Sequence, residues 1–197
     1  MHSTAPLAMA TSRVLFVCRN NLARGPVAEH ICRHLAAERG VKVSVASAGT
    51  SSWLHPSERS SNARAPLTSS SGAPVGLPAL PSIVSAVSRS PLLQSGSGSA
   101  IDLSTHVSRQ LHPQDFEMFD LIVACSPRRH RMLKEMMSPL PHEGVTTGDD
   151  SVYRAKLRGL HGYAEGVGDV LNSESAPPEL TVAMLHKSIA AMLDEEF

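Results

Sequence analysis

Apolar and polar positions along the chain alternate between two periods. Val14 to Val17 is an unbroken apolar run, the pattern of a short strand buried on both faces of a parallel sheet. From Pro26 to Arg39, Val27, Ile31 and Leu35 recur four apart, which predicts a helix stopped by Gly40. Val41 to Ala46 alternates and predicts a second strand. Asp115 to Asp120 leads into an apolar third strand, Leu121 to Cys125, and Pro127 opens another helix. Residues 138–152, with Pro139, Pro141, Gly144 and Gly148, read as loop, and a fourth strand is expected around Tyr153 to Leu160. A last helix begins near Pro178, carried by Val182, Leu185, Ile189, Met192 and Leu193. Strands alternating with helices predict an α/β fold: a small four-stranded parallel sheet with helices on both faces.

One stretch breaks the pattern. Half of residues 57–100 are Ser, Pro or Gly and none is aromatic, so little is available to offset the entropy of ordering them. The exception is an island, Pro81 to Ser88, with the makings of a short helix. The expected organisation is one domain over 13–197, a flexible insertion at 59–100 within it, and a loose tail at 1–12.

Composition narrows the function by exclusion. Eighteen Lys and Arg balance eighteen Asp and Glu in 197 residues, which gives no reason to expect a nucleic acid or an anionic membrane as partner. The N-terminal residues lack a basic segment before an apolar core, and no apolar run has the length to span a bilayer. Cys18, Cys32 and Cys125 fit neither a disulfide framework nor zinc spacing, which points to a reducing, cytoplasmic setting. His30 and His34 stand four apart on the first helix, without the glutamate of a zinc protease, and read as a solvated flank rather than a metal pair. The cluster Arg128, Arg129, His130 and Arg131 opposes the dipole at its helix start. It reads either as a solvated face or as a collector of acidic substrates.

The chemistry concentrates at the end of the first strand. Cys18 is followed by Arg19, Asn20, Asn21, Leu22, Ala23, Arg24, Gly25 and Pro26, a Cys-x5-Arg loop leading into a helix. Backbone N–H groups converging at such a loop, together with the helix dipole, favour an anion. A cysteine there is expected as thiolate, and an arginine at the loop's end suits two oxygens of a phosphoryl group. Those parts fit phosphoryl transfer through a cysteinyl-phosphate.

With Val17 before it and Pro26-Val27-Ala28-Glu29 after it, the loop resembles that of the low-molecular-weight protein tyrosine phosphatases. Their usual pattern is Val-Cys-x-Gly-Asn-x-Cys-Arg-Ser-Pro-x-Ala-Glu. This chain departs from it at Asn20 for Gly, Ala23 for the second Cys and Gly25 for Ser. A second stretch, Ser47-Ala48-Gly49-Thr50 with Trp53 after it, and a third, Ile101 to Leu111, are similar to the same family. The resemblance implies that fold, Cys18 as nucleophile, Arg24 and the loop 19–25 as the phosphate cradle, and no metal or cofactor. It also implies Ser47 and His106 as supports that hold Asn21, and Trp53 as a wall of the substrate cleft. Read alone, Trp53 has a core or loop-packing role as the alternative.

In that family the acid that protonates the leaving group is an Asp in an Asp-Pro-Tyr segment before the last helix. The matching position here is Asp169, without the Pro and aromatics, and Asp149 and Asp150 compete for the role. The implied substrate is a phosphotyrosine protein or a small aryl phosphate, with phosphate or sulfate filling the same loop. Two other readings stay open: a phosphate- or phosphotyrosine-binding pseudo-enzyme, and a thiol-dependent arsenate reductase, whose relatives also carry a cysteine near the end of the third strand, as Cys125 is.

Overall fold

A computed structural model describes residues 11–51, 75–93, 101–136 and 150–197. Strands β1 (Ser12–Cys18), β2 (Val43–Gly49), β3 (Leu121–Ala124) and β4 (Leu157–Gly159) form one parallel sheet in the order β2-β1-β3-β4. Side chains alternate across it. Val14, Phe16 and Cys18 face one core, while Leu15 and Val17 face another. The first core is covered by helices α1 (Arg24–Glu38), α2 (Pro81–Arg89) and, much later in the chain, the C-terminal helix Pro178–Glu196. The second is covered by α3 (Asp115–Met118), α4 (Pro127–Met136) and α5 (Asp150–Lys156), through Phe116, Leu133 and Tyr153. A short helix α6 (Gly168–Asn172) precedes the C-terminal helix, which is α7. The expected α/β fold with helices on both faces is therefore the observed one.

The strand order positions the site. From β1 the chain moves to β2 on one side, and later returns to place β3 on the other. Ligands in open parallel sheets bind beyond the strand ends at such a reversal, and Cys18 is the last residue of β1.

Two boundaries differ from the sequence reading. Ser12 pairs with Val43, so the sheet takes in the last residue of the expected tail. The fourth strand is only Leu157–Gly159, because Asp150–Lys156 is helical. Tyr153 and Leu157 are four apart, so their spacing suits a helix as well as a strand. Tyr153 packs edge-on against Phe116 with ring centroids 6.4 Å apart.

The largest difference lies within residues 59–100. Its portion 75–93 is packed: Ile83, Ala86 and Val87 put one apolar stripe of α2 into the first core, joined by Ala79 and Leu93. The island Pro81 to Ser88 is thus the short helix its sequence allowed, and the packing of its flanks, Ala79 and Leu93, is what the composition of the stretch did not show. Arg89 also pairs with Glu179 of α7 at 2.7 Å. The remainder of 59–100 and residues 1–10 lie outside the described residues.

Candidate active site

The loop that follows β1 is held from behind by a buried polar network centred on Asn21. Asn21 has φ of 57°, in the left-handed region that Asn tolerates better than most residues, and it is fully buried. Its Nδ2 donates to Ser47 Oγ at 2.8 Å, and its Oδ1 accepts from the Arg109 amide at 3.0 Å. Its carbonyl accepts from His106 Nε2 at 2.8 Å, which fixes the proton on that ring nitrogen. Ser47 Oγ in turn donates to Glu29 Oε2 at 2.5 Å. Arg109 is gripped by both oxygens of Asp115, at 2.9 and 3.1 Å. The two sequence-expected supports, Ser47 and His106, thus both reach Asn21, and through it they shape the loop.

The end of β2 ties down the loop's first residues. The Thr50 amide donates to the carbonyls of Cys18 and Arg19, at 3.0 and 2.8 Å. Ser51 Oγ lies 2.8 Å from the Arg19 carbonyl and also bonds Asn20 Oδ1. Gly49 permits this approach, since a Cβ there would sit 2.9 Å from the Arg19 carbonyl oxygen. Buried Arg129, from the basic cluster of α4, donates to Thr50 Oγ1 at 3.1 Å. That arginine therefore braces the loop's neighbour; it is not part of a solvated face.

In front of the loop lies an open cavity of about 290 Å³. Cys18, 5% exposed, lies in its lining with Arg19, Asn20, Leu22, Ala23 and Arg24. Cys18 Sγ accepts from the Asn21 amide at 3.2 Å. Helix α1 begins at Arg24 without a side-chain cap and without an acidic residue in its first turn, so its positive end is left for an anion. Of the expected phosphate-binding residues, Asn21 and Gly25 do not line the cavity; Asn21 supports the loop, and Gly25 is buried in the first helical turn. A Cβ on Gly25 would come within 2.9 Å of Asn21 Nδ2 and 3.1 Å of Cys18 Sγ.

The two arginines of the cavity are engaged with the segment after α6. Arg24 donates to the Leu171 carbonyl at 2.5 Å and the Ser173 carbonyl at 3.5 Å. Arg19 pairs with Glu174 at 2.5 Å. Glu174 is the only carboxylate that lines the cavity among the described residues. Asp169, the expected acid, is exposed in the first turn of α6 and does not line it. Asp149 and Trp53 lie outside the described residues, and of Asp150 only the backbone, at the start of α5, is described. The sequence reading missed Glu174 because it searched for an Asp by alignment to a three-residue pattern. The usable signal was location: the last carboxylate before the final helix begins. It also missed Leu80, which lines the cavity from within the supposed insertion.

The other cysteines are structural by their surroundings. Cys32 is fully buried in the core and burial pushes its thiol up to about 12. Cys125 follows β3, in continuation of the register that pairs Val17 with Ala124, and so stands beside Cys18. Burial first, and the neighbouring Cys18 second, push its thiol well above the usual range. On α1, His30 Nδ1 donates to the Pro26 carbonyl at 2.9 Å and His34 faces Glu38 at 3.4 Å.

Residues 13–76, from β1 through the loop, α1 and β2, match the family model described as low molecular weight phosphotyrosine protein phosphatase. No curated protein sequence matches the chain. Among solved structures, the low molecular weight protein tyrosine phosphatase from T. tengcongensis is 24% identical, with a TM-score of 0.64 over 94% of this chain and 99% of that one. The Entamoeba histolytica protein tyrosine phosphatase with Hepes in its active site is 18% identical, with a TM-score of 0.63 over 94% and 97%. The YwlE arginine phosphatase with a phosphorylated active-site serine is 22% identical, with a TM-score of 0.60 over 93% and 94%. The fold is that of these proteins, and the family resemblance read from the loop stands. Among the described residues, no helix is long and apolar enough to cross a membrane.

Proposed function

We propose that this chain, similar to the low-molecular-weight phosphotyrosine phosphatases in its loop segment and its fold, hydrolyses phosphotyrosine or other aryl phosphate monoesters. One observation carries the reading: the Cys18 thiol lies in the cavity in which Arg24 and the uncapped start of α1 also meet. In this mechanism the Cys18 thiolate attacks phosphorus, the S–P bond forms, and the ester P–O bond breaks with its electron pair going to the phenol oxygen. Arg24 exchanges the neutral carbonyls of Leu171 and Ser173 for the charged equatorial oxygens, which are stronger acceptors. Loop amides take the rest of the developing charge. Glu174, which lines the cavity where Asp169 does not, gives its proton to the phenolate from its acid form, and the carboxylate so formed then takes a proton from the water that attacks the cysteinyl-phosphate. Trp53 keeps its proposed place as a wall of the cleft, and three unpaired cysteines suit a reducing cytoplasm. The substrate is a phosphoprotein or small aryl phosphate.

A second reading, a phosphate binder of little turnover, draws on Gly25. No hydroxyl stands there to stabilise Cys18 as leaving group in the second step. Both readings are tested with p-nitrophenyl phosphate and inorganic phosphate. The enzyme reading expects Cys18→Ser to cost on the order of 10⁴-fold or more in turnover. Phosphate affinity should stay within a few-fold, because Arg24 and the loop amides remain. Phosphate binding without turnover in the native chain favours the binder, and loss of both sinks the two readings together.

A further inference from the structure

Residues 75–80 are strapped across the molecule to the rim of the phosphate loop. The Gly76 amide donates to the Ser108 carbonyl and the Ser108 amide to the Leu77 carbonyl, both at 2.8 Å. The Leu77 amide reaches Ser108 Oγ at 3.0 Å. Ala79 is buried in the first core, and the Leu80 amide donates to the carbonyl of Leu22, inside the phosphate loop, at 2.8 Å. Pro81 then starts α2, whose Ile83 is anchored in that core. Leu80 is therefore fixed on both sides by backbone bonds and core packing. Its side chain nevertheless stays 44% exposed and lines the cavity with Leu22 and Ala23. A single exposed leucine is ordinary on a protein surface, but one pinned at the mouth of an anion cavity has a definite neighbour.

We propose that Leu80, with Leu22 and Ala23, forms an apolar wall that selects the aromatic ring of an aryl phosphate over alkyl or guanidino phosphates. The inference rests on the phosphatase reading of the same cavity. With phosphorus held over Cys18, the group on the ester oxygen points outward past the rim. An aromatic ring there removes the remaining exposed face of Leu80 from water. A methyl group is too short to reach it, and a guanidinium loses hydration without gaining a partner on that wall. The segment that composition assigned to a flexible insertion thus contributes the wall's outermost residue, so Leu80 is a specificity-determining position.

The test is calorimetric titration of the full-length chain with phenylphosphonate, methylphosphonate and phosphoarginine, before and after Leu80→Ala. Phenylphosphonate should bind on the order of tenfold tighter than methylphosphonate. Leu80→Ala should weaken phenylphosphonate roughly threefold to tenfold while moving methylphosphonate less than twofold. Leu80→Met, which keeps volume and apolarity, should restore the difference. Equal weakening of both phosphonates would make Leu80 a mere prop for Leu22 and overturn the proposal. So would phosphoarginine binding tighter than phenylphosphonate and losing that advantage in Glu174→Gln. If the native chain binds neither phosphonate, the phosphatase reading fails first and takes this one with it.

Discussion

The two sides of the phosphate loop are built on different principles. Behind it, Asn21 is fully buried and bonded to Ser47, His106 and the Arg109 amide, with Ser47 bonded onward to the part-buried Glu29. In front of it, the cavity is assembled from the loop, from Leu80 and from Glu174, and its arginines hold on to the segment 171–174. A buried network has one low-energy arrangement, because any broken member leaves an unpaired group away from water. Partly exposed ion pairs and carbonyl contacts are individually weak, so the front is free to exchange partners. The back therefore holds the loop's shape, and under the proposed function the front tunes what the loop accepts.

That contrast has measurable consequences, the largest at the back. Asn21→Ala strands the Arg109 amide, removes a partner of Ser47 and puts a less tolerant residue at positive φ. The expected cost is about 2–4 kcal/mol. For a chain of this size that is roughly a 5–15 °C fall in Tm, with phosphate affinity falling alongside. Calorimetric unfolding with unchanged Tm would show that the network does not hold the loop.

At the front, Glu174→Gln should leave Tm nearly unmoved and slow poor leaving groups on the order of 100-fold more than good ones. A series of substituted phenyl phosphates reads this out. Asp169→Asn should give a flat series, and the reverse pattern would return the acid role to Asp169.

Gly25 stands between the two sides. Gly25→Ala puts a methyl against Asn21 Nδ2, which is already committed to Ser47, and should slow turnover. Gly25→Ser crowds equally but brings a hydroxyl within reach of Cys18 Sγ, and should be faster than the alanine variant by on the order of tenfold. It should also shift thiol alkylation by iodoacetate to lower pH. Equal rates and equal pH profiles would mean that the hydroxyl has no role here.

The smallest effect lies away from the loop and serves as its control. His130 and His161 pack with tilted rings, centroids 5.2 Å apart and planes at 59°, each with a buried nitrogen lacking a partner. Burial, then Lys134, His161 and Arg158, lowers His130 to about 4, and burial, then Lys134, lowers His161. The unfolded chain takes up these protons near pH 6.5, ahead of the folded one. Their contribution to stability is complete above that value and is lost as pH falls toward 4. Tm should decline across that window, and less steeply in His130→Gln. The carboxylates with lowered values, such as Asp120 against the Arg13 amide, act only at lower pH. An identical slope in the variant would mean that the pair does not titrate on unfolding.

What the sequence determined by itself is whatever is encoded over a few consecutive residues. The apolar run Val14–Val17, the Cys18-to-Arg24 spacing and the four-residue rhythm after Pro26 specify a strand, a loop and a helix in immediate succession. The proposed nucleophile and its proposed cradle were therefore legible. Asn21, Ser47 and His106 became legible as a group only through the family resemblance, since they are 26 and 85 residues apart along the chain and no local period links them. Tertiary structure alone decided that 75–93 packs, that Leu80 reaches the rim and that Glu174, not Asp169, enters the cavity. It also decided that Arg129 is buried against Thr50. The physical reason is the same in each case. Side-chain periodicity fixes which face of an element is apolar. Which distant segment covers that face, or ends beside the loop, follows from the order β2-β1-β3-β4 and the crossovers between strands, and these exist only once the chain has folded.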